Sequence, residues 1–355
     1  MPLGKKSRKC LRVLVRNSER SLRNQQMKRI GNLYEKICDI ENLYLADTKA
    51  SKGKSMMHGV IRHRRNRDEN LRKLHELLQN GNFKTSEYKT FKIFDPKERE
   101  IYQLPYYPDR IVHHAIMNIL EPIFVSVLTK DTYSCIKGRG IHGVVKNIRK
   151  SLSDVDNSIY CLKLDIRKFY PSIDHKILKE IIRRKIKDIR LLSLLDNIID
   201  SAPGVPIGNY LSQYFANLYL AYFDHWIKEI LKVRYYFRYA DDIVILDVDK
   251  THLHDLYFEI RNYLWDNLNL EVKGNWQVFP VCSRGIDFVG YVFYHTHTKM
   301  RKRIKKKFCK KASILFKKGI KQNECVQILS PWIGWSKHCN SRHLLKKLRL
   351  NRNEQ

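Results

Sequence analysis

Residues 235–246, which read YYFRYADDIVIL, decide the fold. Aromatic and β-branched residues flank Ala240-Asp241-Asp242 on both sides, and such residues favour strands. The stretch therefore predicts a β-hairpin with two acids at its tip. Neighbouring carboxylates raise each other's pKa unless a cation neutralises them. A solvated surface turn is the alternative, so a functional site requires a third acid from elsewhere in the chain.

A candidate for the third acid lies upstream, in residues 159–166. Cys161, Lys163 and Asp165 alternate there with apolar residues, which predicts a strand with Asp165 on its polar face. Pairing of this strand with the hairpin would bring Asp165 to Asp241 and Asp242. Carboxylate oxygens suit Mg²⁺, and two such ions would activate a hydroxyl and stabilise a leaving pyrophosphate. The alternative is that Asp165 caps the following segment.

These stretches resemble the motifs of reverse transcriptases. Residues 163–174 resemble motif A and residues 204–213 resemble motif B, while the hairpin resembles motif C, in the same order. Residues 99–110 and 137–142 resemble two fingers motifs of intron and retron enzymes. Residues 268–273 resemble motif D, and residues 288–293 resemble the primer grip.

The resemblance implies an α+β right-hand polymerase, in which the palm combines an antiparallel sheet with helices. We expect a basic N-terminal extension and fingers in residues 1–155, the palm in 156–298 and a basic helical thumb in 299–355. The implied activity is RNA-directed DNA synthesis with two Mg²⁺ ions. Template RNA, a primer or cDNA strand and deoxynucleoside triphosphates would be its partners. A catalytically silent RNA-binding protein on a polymerase scaffold is the alternative from a different class.

The resemblance also assigns candidate site residues. Asp165, Asp241 and Asp242 would be catalytic and, with Ile166, would hold metal. Val289, Gly290 and Tyr291 would grip the primer. The residues expected near the incoming nucleotide are Ile166, Tyr170, Ile207, Gly208, Ser212, Gln213, Lys97, Arg99 and Lys273.

Two departures from the common motif B pattern predict the subtype. Most reverse transcriptases have Pro-Gln-Gly and then Ser-Pro, whereas this chain has Ile207 before Gly208 and Gln213 after Ser212. Both resemble diversity-generating retroelements, whose enzymes copy a template-repeat RNA with errors at adenine. That resemblance implies a small, basic, oligomeric accessory protein as a further partner. A retron, group II intron-derived or phage-defence enzyme is the near alternative. The ring of Tyr170 would exclude a ribose 2′-hydroxyl and so favour deoxynucleotides.

Composition independently indicates a polyanionic partner. The chain has 68 Lys and Arg against 36 Asp and Glu, a net charge of +32, which attracts nucleic acid. Residues 288–323 contain no acid. The spacing of the apolar residues there predicts an amphipathic helix, and a membrane-surface helix is its rival interpretation. Its predicted apolar stripe consists of Ile304, Phe308, Ala312, Leu315 and Phe316.

Other segments give further expectations. The N-terminal end is strongly basic with one early acid, Glu19, and we expect it to bind RNA, with an organelle transit peptide as the alternative. Residues 50–70 are polar and predict a mobile loop or an RNA-contact insertion. The eight cysteines include no Cys-x-x-Cys pair, which favours a reducing cytoplasm. The resemblance to diversity-generating retroelements implies a bacterial or phage context. No long apolar run predicts a membrane span.

Overall fold

The computed structural model describes residues 29–94 and 98–350. Its helices are α1 (Tyr34–Cys38), α2 (Ile40–Ser51), α3 (His58–Arg65), α4 (Arg67–Gln79), α5 (Ile111–Val127), α6 (Gly140–Leu152), α7 (His175–Arg183), α8 (Ile189–Ile199), α9 (Tyr210–Tyr219), α10 (Ala221–His225), α11 (Lys250–Leu268), α12 (Val281–Arg284), α13 (Lys302–Lys317), α14 (Gln322–Ser336) and α15 (Arg342–Lys347). Its strands are β1 (Lys89–Ile93), β2 (Arg99–Gln103), β3 (Tyr160–Asp165), β4 (Tyr235–Tyr239), β5 (Asp242–Asp247), β6 (Gln277–Pro280), β7 (Ile286–Phe288), β8 (Tyr291–Phe293) and β9 (Thr298–Met300).

The chain forms two compact units, and each takes two separate stretches of sequence. Unit 1 contains the described residues up to 129 together with 168–232, and unit 2 contains 130–167 together with the described residues from 233 onward. The predicted boundaries after residues 155 and 298 stay predictions. Within the described ranges, no helix is long and apolar enough to cross a membrane.

Unit 1 is mainly helical. Helix α5 is apolar on most of its circumference and packs against α2 and α9. The side chain of Asp188 caps α8 by accepting from the Leu191 amide at 3.2 Å, and it also accepts from the amides of Leu33 and Tyr34. Acceptors at a helix N-terminus satisfy amides that lack intrahelical partners. One carboxylate therefore connects α8 to the start of α1.

The short hairpin of unit 1 pairs β1 with β2 in antiparallel register, from Lys89 opposite Gln103 to Ile93 opposite Arg99. The Tyr102 amide leaves this hairpin and donates to the Ile207 carbonyl at 2.8 Å. The backbone of β2 thus holds the loop that precedes α9.

Unit 2 contains a four-stranded antiparallel sheet in the order β4-β5-β3-β6. Helix α11 packs on this sheet against β3, β5 and β6. A second, three-stranded sheet has the order β7-β8-β9. One apolar cluster joins α6 to both sheets, and it includes Val144, Val244 and Phe288, all fully buried.

The C-terminal helices α13, α14 and α15 enclose a second apolar cluster around Phe308, Cys325 and Leu329. The predicted basic amphipathic helix is confirmed as α13, with Phe308, Ala312 and Leu315 buried. One member of the predicted stripe was wrong. Phe316 is 39% exposed, because it lies one residue beyond Leu315 and so rotates toward solvent.

Two further expectations need correction. Residues 50–70 do not form a loop throughout, since α3 and α4 occupy most of this stretch. Cys161 lies on the predicted polar face of β3 but is fully buried in the apolar cluster of unit 2. The polar face of β3 is therefore open only toward its Asp165 end. The basic N-terminal end, up to residue 28, lies outside the described residues.

Candidate active site

The hairpin of β4 and β5 has two acids at its tip, as predicted. Tyr239 is paired with Asp242, so that only Ala240 and Asp241 form the turn. Ala240 has a φ of 55°. A two-residue turn requires left-handed backbone because its twist must match that of the strands. The cost of this conformation for an alanine is about 1–2 kcal/mol.

Strand β3 brings the third acid to the same edge of the sheet. Asp165 is the direct antiparallel partner of Asp242, and directly opposed residues have Cβ atoms about 4.5–5.5 Å apart. The next amide along, from Ile166, donates to the Asp241 carbonyl at 3.3 Å. The predicted convergence of the three acids is therefore present in the backbone register of unit 2.

The carboxylates at this edge are short of neutralising charge. The pKa of Asp242 is raised to about 7, mainly by burial; Lys163 lowers it, and the charges of Asp165 and Asp241 raise it. Burial and then the Asp165 charge raise the pKa of Asp241. The Oδ1 atom of Asp242 is buried and has no hydrogen-bond partner in the described structure. These are the conditions under which a cation would stabilise the site.

Two lysines partly neutralise the acids. Lys273 Nζ lies 2.5 Å from Asp165 Oδ1, and the Lys273 amide also donates to the Asp165 carbonyl at 2.9 Å. Lys163 Nζ lies 3.8 Å from Asp242 Oδ1 and donates to the Asp287 carbonyl. The structure thus brings Lys273, a predicted nucleotide-binding residue, to the acids, whereas Lys163 was not predicted to take part.

Arg238 is a second residue that sequence reasoning missed. Its side chain is fully buried, and its Nη1 donates to the Ala240 carbonyl at 3.1 Å. Its Nη2 lies 3.4 Å from Thr132 Oγ1, and its backbone pairs with Asp131 and Tyr133. A buried guanidinium at an irregular turn satisfies a carbonyl that no strand can pair. The one sequence feature that could have identified Arg238 as part of the site is its position three residues before Asp241.

The predicted primer-grip residues form a second tight hairpin in unit 2. Phe288 pairs with Tyr291, leaving Val289 (φ 42°) and Gly290 (φ 89°) as the turn. A Cβ atom on Gly290 would lie 2.4 Å from the Trp335 ring. The Tyr291 hydroxyl donates to the Trp335 carbonyl at 3.0 Å. Helix α14 therefore fixes this turn by close packing.

The motif B residues and Tyr170 lie together in unit 1. The Val205 amide donates to the Tyr170 carbonyl at 2.9 Å. A Cβ atom on Gly204 would lie 2.5 Å from that same carbonyl, and one on Gly208 would lie 2.7 Å from the Tyr102 carbonyl. Both glycines are thus required for close backbone approach. The loop of residues 204–208 is held between β2 and the Tyr170 turn.

Their side chains differ in exposure. Tyr170 and Ile207 are half-buried, Ser212 is buried, and Gln213 is exposed. Arg99 opens β2 with an exposed side chain. Lys97 lies outside the described residues.

The three acids do not form a closed metal cage. No group of three or more His, Cys, Asp or Glu side chains in residues 29–94 and 98–350 is arranged to hold a metal ion. Mg²⁺, however, usually takes one or two carboxylates and completes its shell with water and substrate phosphates. The unpartnered Asp242 oxygen and the crowded charges of Asp165 and Asp241 fit such an open site.

The chain belongs to the reverse transcriptase family. The family model for reverse transcriptase (RNA-dependent DNA polymerase) matches residues 95–293, which is more than half of the chain and includes every predicted motif from Arg99 to Tyr291. The predicted fold class, helices combined with an antiparallel sheet, is confirmed.

Several curated proteins are similar to this chain. Protein YkfC of Escherichia coli is 24% identical over 53% of this chain and 61% of its own length. The group II intron-encoded protein LtrA of Lactococcus lactis is 23% identical over 46% of this chain and 29% of its own length. The chain thus spans less than two thirds of either relative.

Solved telomerase structures also match. Telomerase from Candida albicans, determined with a fragment of telomeric RNA, has 13% identity and a TM-score of 0.44, over 66% of this chain and 52% of that one. Apo telomerase from Candida tropicalis has 12% identity and a TM-score of 0.44, and the match covers 60% of this chain and 48% of the telomerase chain.

Proposed function

We propose that this chain is an RNA-directed DNA polymerase whose catalytic residues are Asp165, Asp241 and Asp242. The observation that carries the proposal is the register of β3 against β5, which opposes Asp165 to Asp242 beside Asp241. The high net positive charge supports a nucleic-acid substrate. Family membership supports the same reaction class.

Magnesium fits the proposed site. Asp165, Asp241 and Asp242 would hold it, with the carbonyl of Ile166 beside them. When bound, two such ions would supply Lewis-acid activation of the primer 3′-hydroxyl and charge stabilisation of the leaving pyrophosphate. The chain's own contribution is to fix the acids on adjacent strands and to keep Lys273 beside Asp165. Lys273 would have to exchange this partner when the acids take up metal, which would free its ammonium for the nucleotide phosphates.

Primer extension on an RNA template tests the proposal. Asp241→Asn should lose at least about a hundredfold in rate, because removal of one preorganised electrostatic group costs about 10²–10³. Asp247→Asn is the matched control. Asp247 lies at the other end of β5, where it accepts from the Asp249 amide at 2.9 Å, and its variant should extend normally. Equal extension by wild type and Asp241→Asn would instead favour the RNA-binding alternative.

We further propose selection of deoxynucleotides by Tyr170. Its half-buried ring is fixed by edge-to-face packing on Phe169 at 5.5 Å, and its carbonyl is held by the Val205 amide. A fixed ring can exclude a 2′-hydroxyl by steric contact. Tyr170→Ala should raise ribonucleotide incorporation relative to deoxynucleotide incorporation, measured with competing triphosphates. An unchanged ratio would remove this role and leave Tyr170 as a packing residue.

The finer assignment is to a diversity-generating retroelement that copies a template-repeat RNA with errors at adenine. The residues Ile207 and Gln213 support this assignment. Ile207 is half-buried, and its backbone carbonyl accepts a hydrogen bond from the Tyr102 amide, while its side chain has no polar group to offer a nucleotide. A site with fewer polar contacts discriminates less strongly between substrates. Sequencing of cDNA from wild type and Ile207→Gln on a defined RNA template tests this. Fewer errors opposite adenine in the variant are expected, and an identical error spectrum would contradict the role of Ile207.

Two further proposals follow from the retroelement assignment. The protein would work with a small, basic, oligomeric accessory protein, and it would act in the cytoplasm of a bacterium, encoded by the bacterium or by a phage. A retron, intron-derived or phage-defence enzyme is the alternative. LtrA, a group II intron-encoded protein, is similar to this chain, which favours keeping the intron-derived form as the second candidate. A template repeat beside the gene would distinguish the retroelement from all three.

A further inference from the structure

A separate cavity lies wholly within unit 1. It has a volume of about 350 Å³ and is bounded by the loop after α2, by α3, by β1 and by the turn before α5. Four cationic side chains line it, and Glu87 is the one acid among its lining residues. The cationic residues are Lys54, Arg62, Lys89 and Arg110.

The positive charge in this cavity exceeds the negative charge that its described lining residues supply. Arg110 Nε is buried and has no hydrogen-bond partner there. Burial lowers the pKa of Arg110. Burial and then the Arg110 charge lower the pKa of Lys54. A guanidinium held out of water without an acceptor is costly. Glu87 supplies one negative charge against four positive charges among the described lining residues, so the arrangement favours an additional anion.

Two acids that contact or adjoin lining residues are committed elsewhere. Asp47 accepts from Arg67 Nε at 2.6 Å and from the hydroxyl of the lining residue Tyr106 at 2.5 Å. Asp109 precedes Arg110 in sequence, but its Oδ1 accepts from the Ser86 amide at 2.9 Å. Burial raises the pKa of Asp109, which works against its ionisation. Neither acid therefore neutralises Arg110.

The shape of the donors favours phosphate as the missing anion. A planar guanidinium binds two phosphate oxygens at once, and lysine ammoniums act as additional point charges. The lining contains two aromatic rings, Tyr106 and His58. Tyr106 packs on His63 at 5.5 Å, and its hydroxyl is bound to Asp47. Only the small imidazole of His58 thus remains for stacking, against four cationic side chains, so the lining favours recognition of phosphate over recognition of the base.

We propose that the cavity of Lys54, Arg62, Lys89 and Arg110 binds a phosphate group of a nucleic-acid strand, independently of base identity. This site goes beyond the proposed polymerase activity and does not depend on it. A phosphodiester within an RNA strand and the phosphate of a free nucleotide share this chemistry. The strand is favoured because the cavity offers four cationic side chains but only the small imidazole of His58 for stacking with a base.

Binding measurements on the full chain test the inference. The Asp241→Asn background without Mg²⁺ excludes synthesis, so the result is separate from the catalytic proposal. The probes are a fluorescent single-stranded RNA decamer, inorganic phosphate and dATP. The cavity variants are Lys54→Gln and Arg110→Gln. Their matched controls are Lys52→Gln, in the same loop, and Arg65→Gln, on the same helix as Arg62; neither control residue lines the cavity.

Each cavity variant should bind the RNA about tenfold more weakly than its control, which is the effect expected for loss of one charge-assisted hydrogen bond. The slope of log affinity against log salt concentration should fall by about 1, which corresponds to one counterion fewer released on binding. Weakened binding of RNA alone identifies the strand as the ligand, and weakened binding of phosphate or dATP as well identifies the phosphate group itself. Equal affinities of Lys54→Gln and Lys52→Gln for all three probes would overturn the inference. Lys54 is only half-buried, so its variant remains informative if Arg110→Gln fails to fold.

Discussion

Unit 2 uses the same backbone device twice, in the acid-bearing hairpin of β4 and β5 and in the grip hairpin of β7 and β8. Both have two-residue turns whose first residue, Ala240 or Val289, adopts a positive φ without being glycine. Non-glycine residues in this region are strained. Both turns are therefore held by their surroundings rather than by local preference.

The surroundings of the two hairpins differ in kind. The acid-bearing turn is held by hydrogen bonding, through the buried Arg238 and the Ala240 carbonyl. The grip turn is held by close packing, through Gly290 and the Trp335 ring. Packing tolerates no added volume, whereas the acid-bearing turn is held through its backbone, by the hydrogen bond to the Ala240 carbonyl. This difference suits one turn to hold charge and the other to hold a fixed shape.

The largest expected effect comes from adding one methyl group to the grip turn. Gly290→Ala should destabilise the protein by about 3 kcal/mol or more, because the new Cβ would overlap Trp335 and would occupy strained backbone. Chemical denaturation measures this. Gly274→Ala is the control, since a Cβ there meets nothing within 4 Å, and it should change stability by less than about 0.5 kcal/mol. Equal effects of the two variants would show that packing does not hold the grip turn.

The corresponding change at the acid-bearing turn is Arg238→Met, which keeps the buried volume but removes the donor to Ala240. We expect a loss of about 1–3 kcal/mol from removal of the hydrogen bond that the charged guanidinium donates to the Ala240 carbonyl, together with slower primer extension as the tip shifts. Arg234→Met is the control, because Arg234 is exposed and pairs with Asp154 at 2.9 Å; exposed pairs contribute little. Full extension activity in Arg238→Met would mean that the turn keeps its shape without the guanidinium.

The two hairpins and Arg238 also show how much of the site could be predicted from the sequence. The acid-bearing hairpin and β3 were predicted because strand composition and alternation are local signals, whereas residues 288–293 were assigned only by resemblance. The approach of Asp165 to Asp241 and Asp242 was predicted on the condition that the strand and the hairpin pair, and the register that opposes Asp165 to Asp242 was not predicted. Arg238 was not predicted, because a charged residue in a strand is ordinarily exposed and its burial depends on packing against Thr132.

Contacts between residues far apart in the sequence were harder to predict. Lys273 and Asp165 are 108 residues apart in sequence, and no local pattern specifies their ion pair. Residues 50–70 were wrongly expected to form a loop because many basic side chains obscure the few apolar positions. Val60 and His63 are nevertheless buried in α3. That error also concealed the cationic cavity of unit 1.

A smaller effect is expected from the charge that the acid-bearing turn carries. The pKa of Asp242 is about 7 in the folded protein against an ordinary value of 3.8, so the folded state binds more protons between these values. Without Mg²⁺, the stability of wild type relative to Asp242→Asn should therefore fall as pH rises from about 4 to 7. We expect a decline of about 1–2 kcal/mol, since one pKa unit corresponds to about 1.4 kcal/mol and partial exposure screens the charge.

Urea denaturation of both proteins in a chelating buffer measures this decline, and the grip hairpin supplies the control. Asp287→Asn removes a carboxylate of that hairpin which Arg301 neutralises at 2.5 Å, so its stability difference from wild type should not show the same fall. Added Mg²⁺ at neutral pH should restore the stability of wild type more than that of Asp242→Asn. Parallel pH curves for wild type and Asp242→Asn would contradict the raised pKa.

The last and smallest of these expected effects is a gain of stability from relieving strain in the acid-bearing turn. Ala240→Gly removes the left-handed cost of about 1–2 kcal/mol, while the greater freedom of glycine in the unfolded chain offsets about 0.5–1 kcal/mol. A net gain of about 0.5–1 kcal/mol should appear in the same denaturation assay. Val289→Gly should gain less, because it also loses the packing of Val289 against the apolar cluster of unit 2. If Ala240→Gly instead destabilises the protein, then Arg238 and the strand pairing, rather than the residue in the turn, set the conformation that carries Asp241 and Asp242.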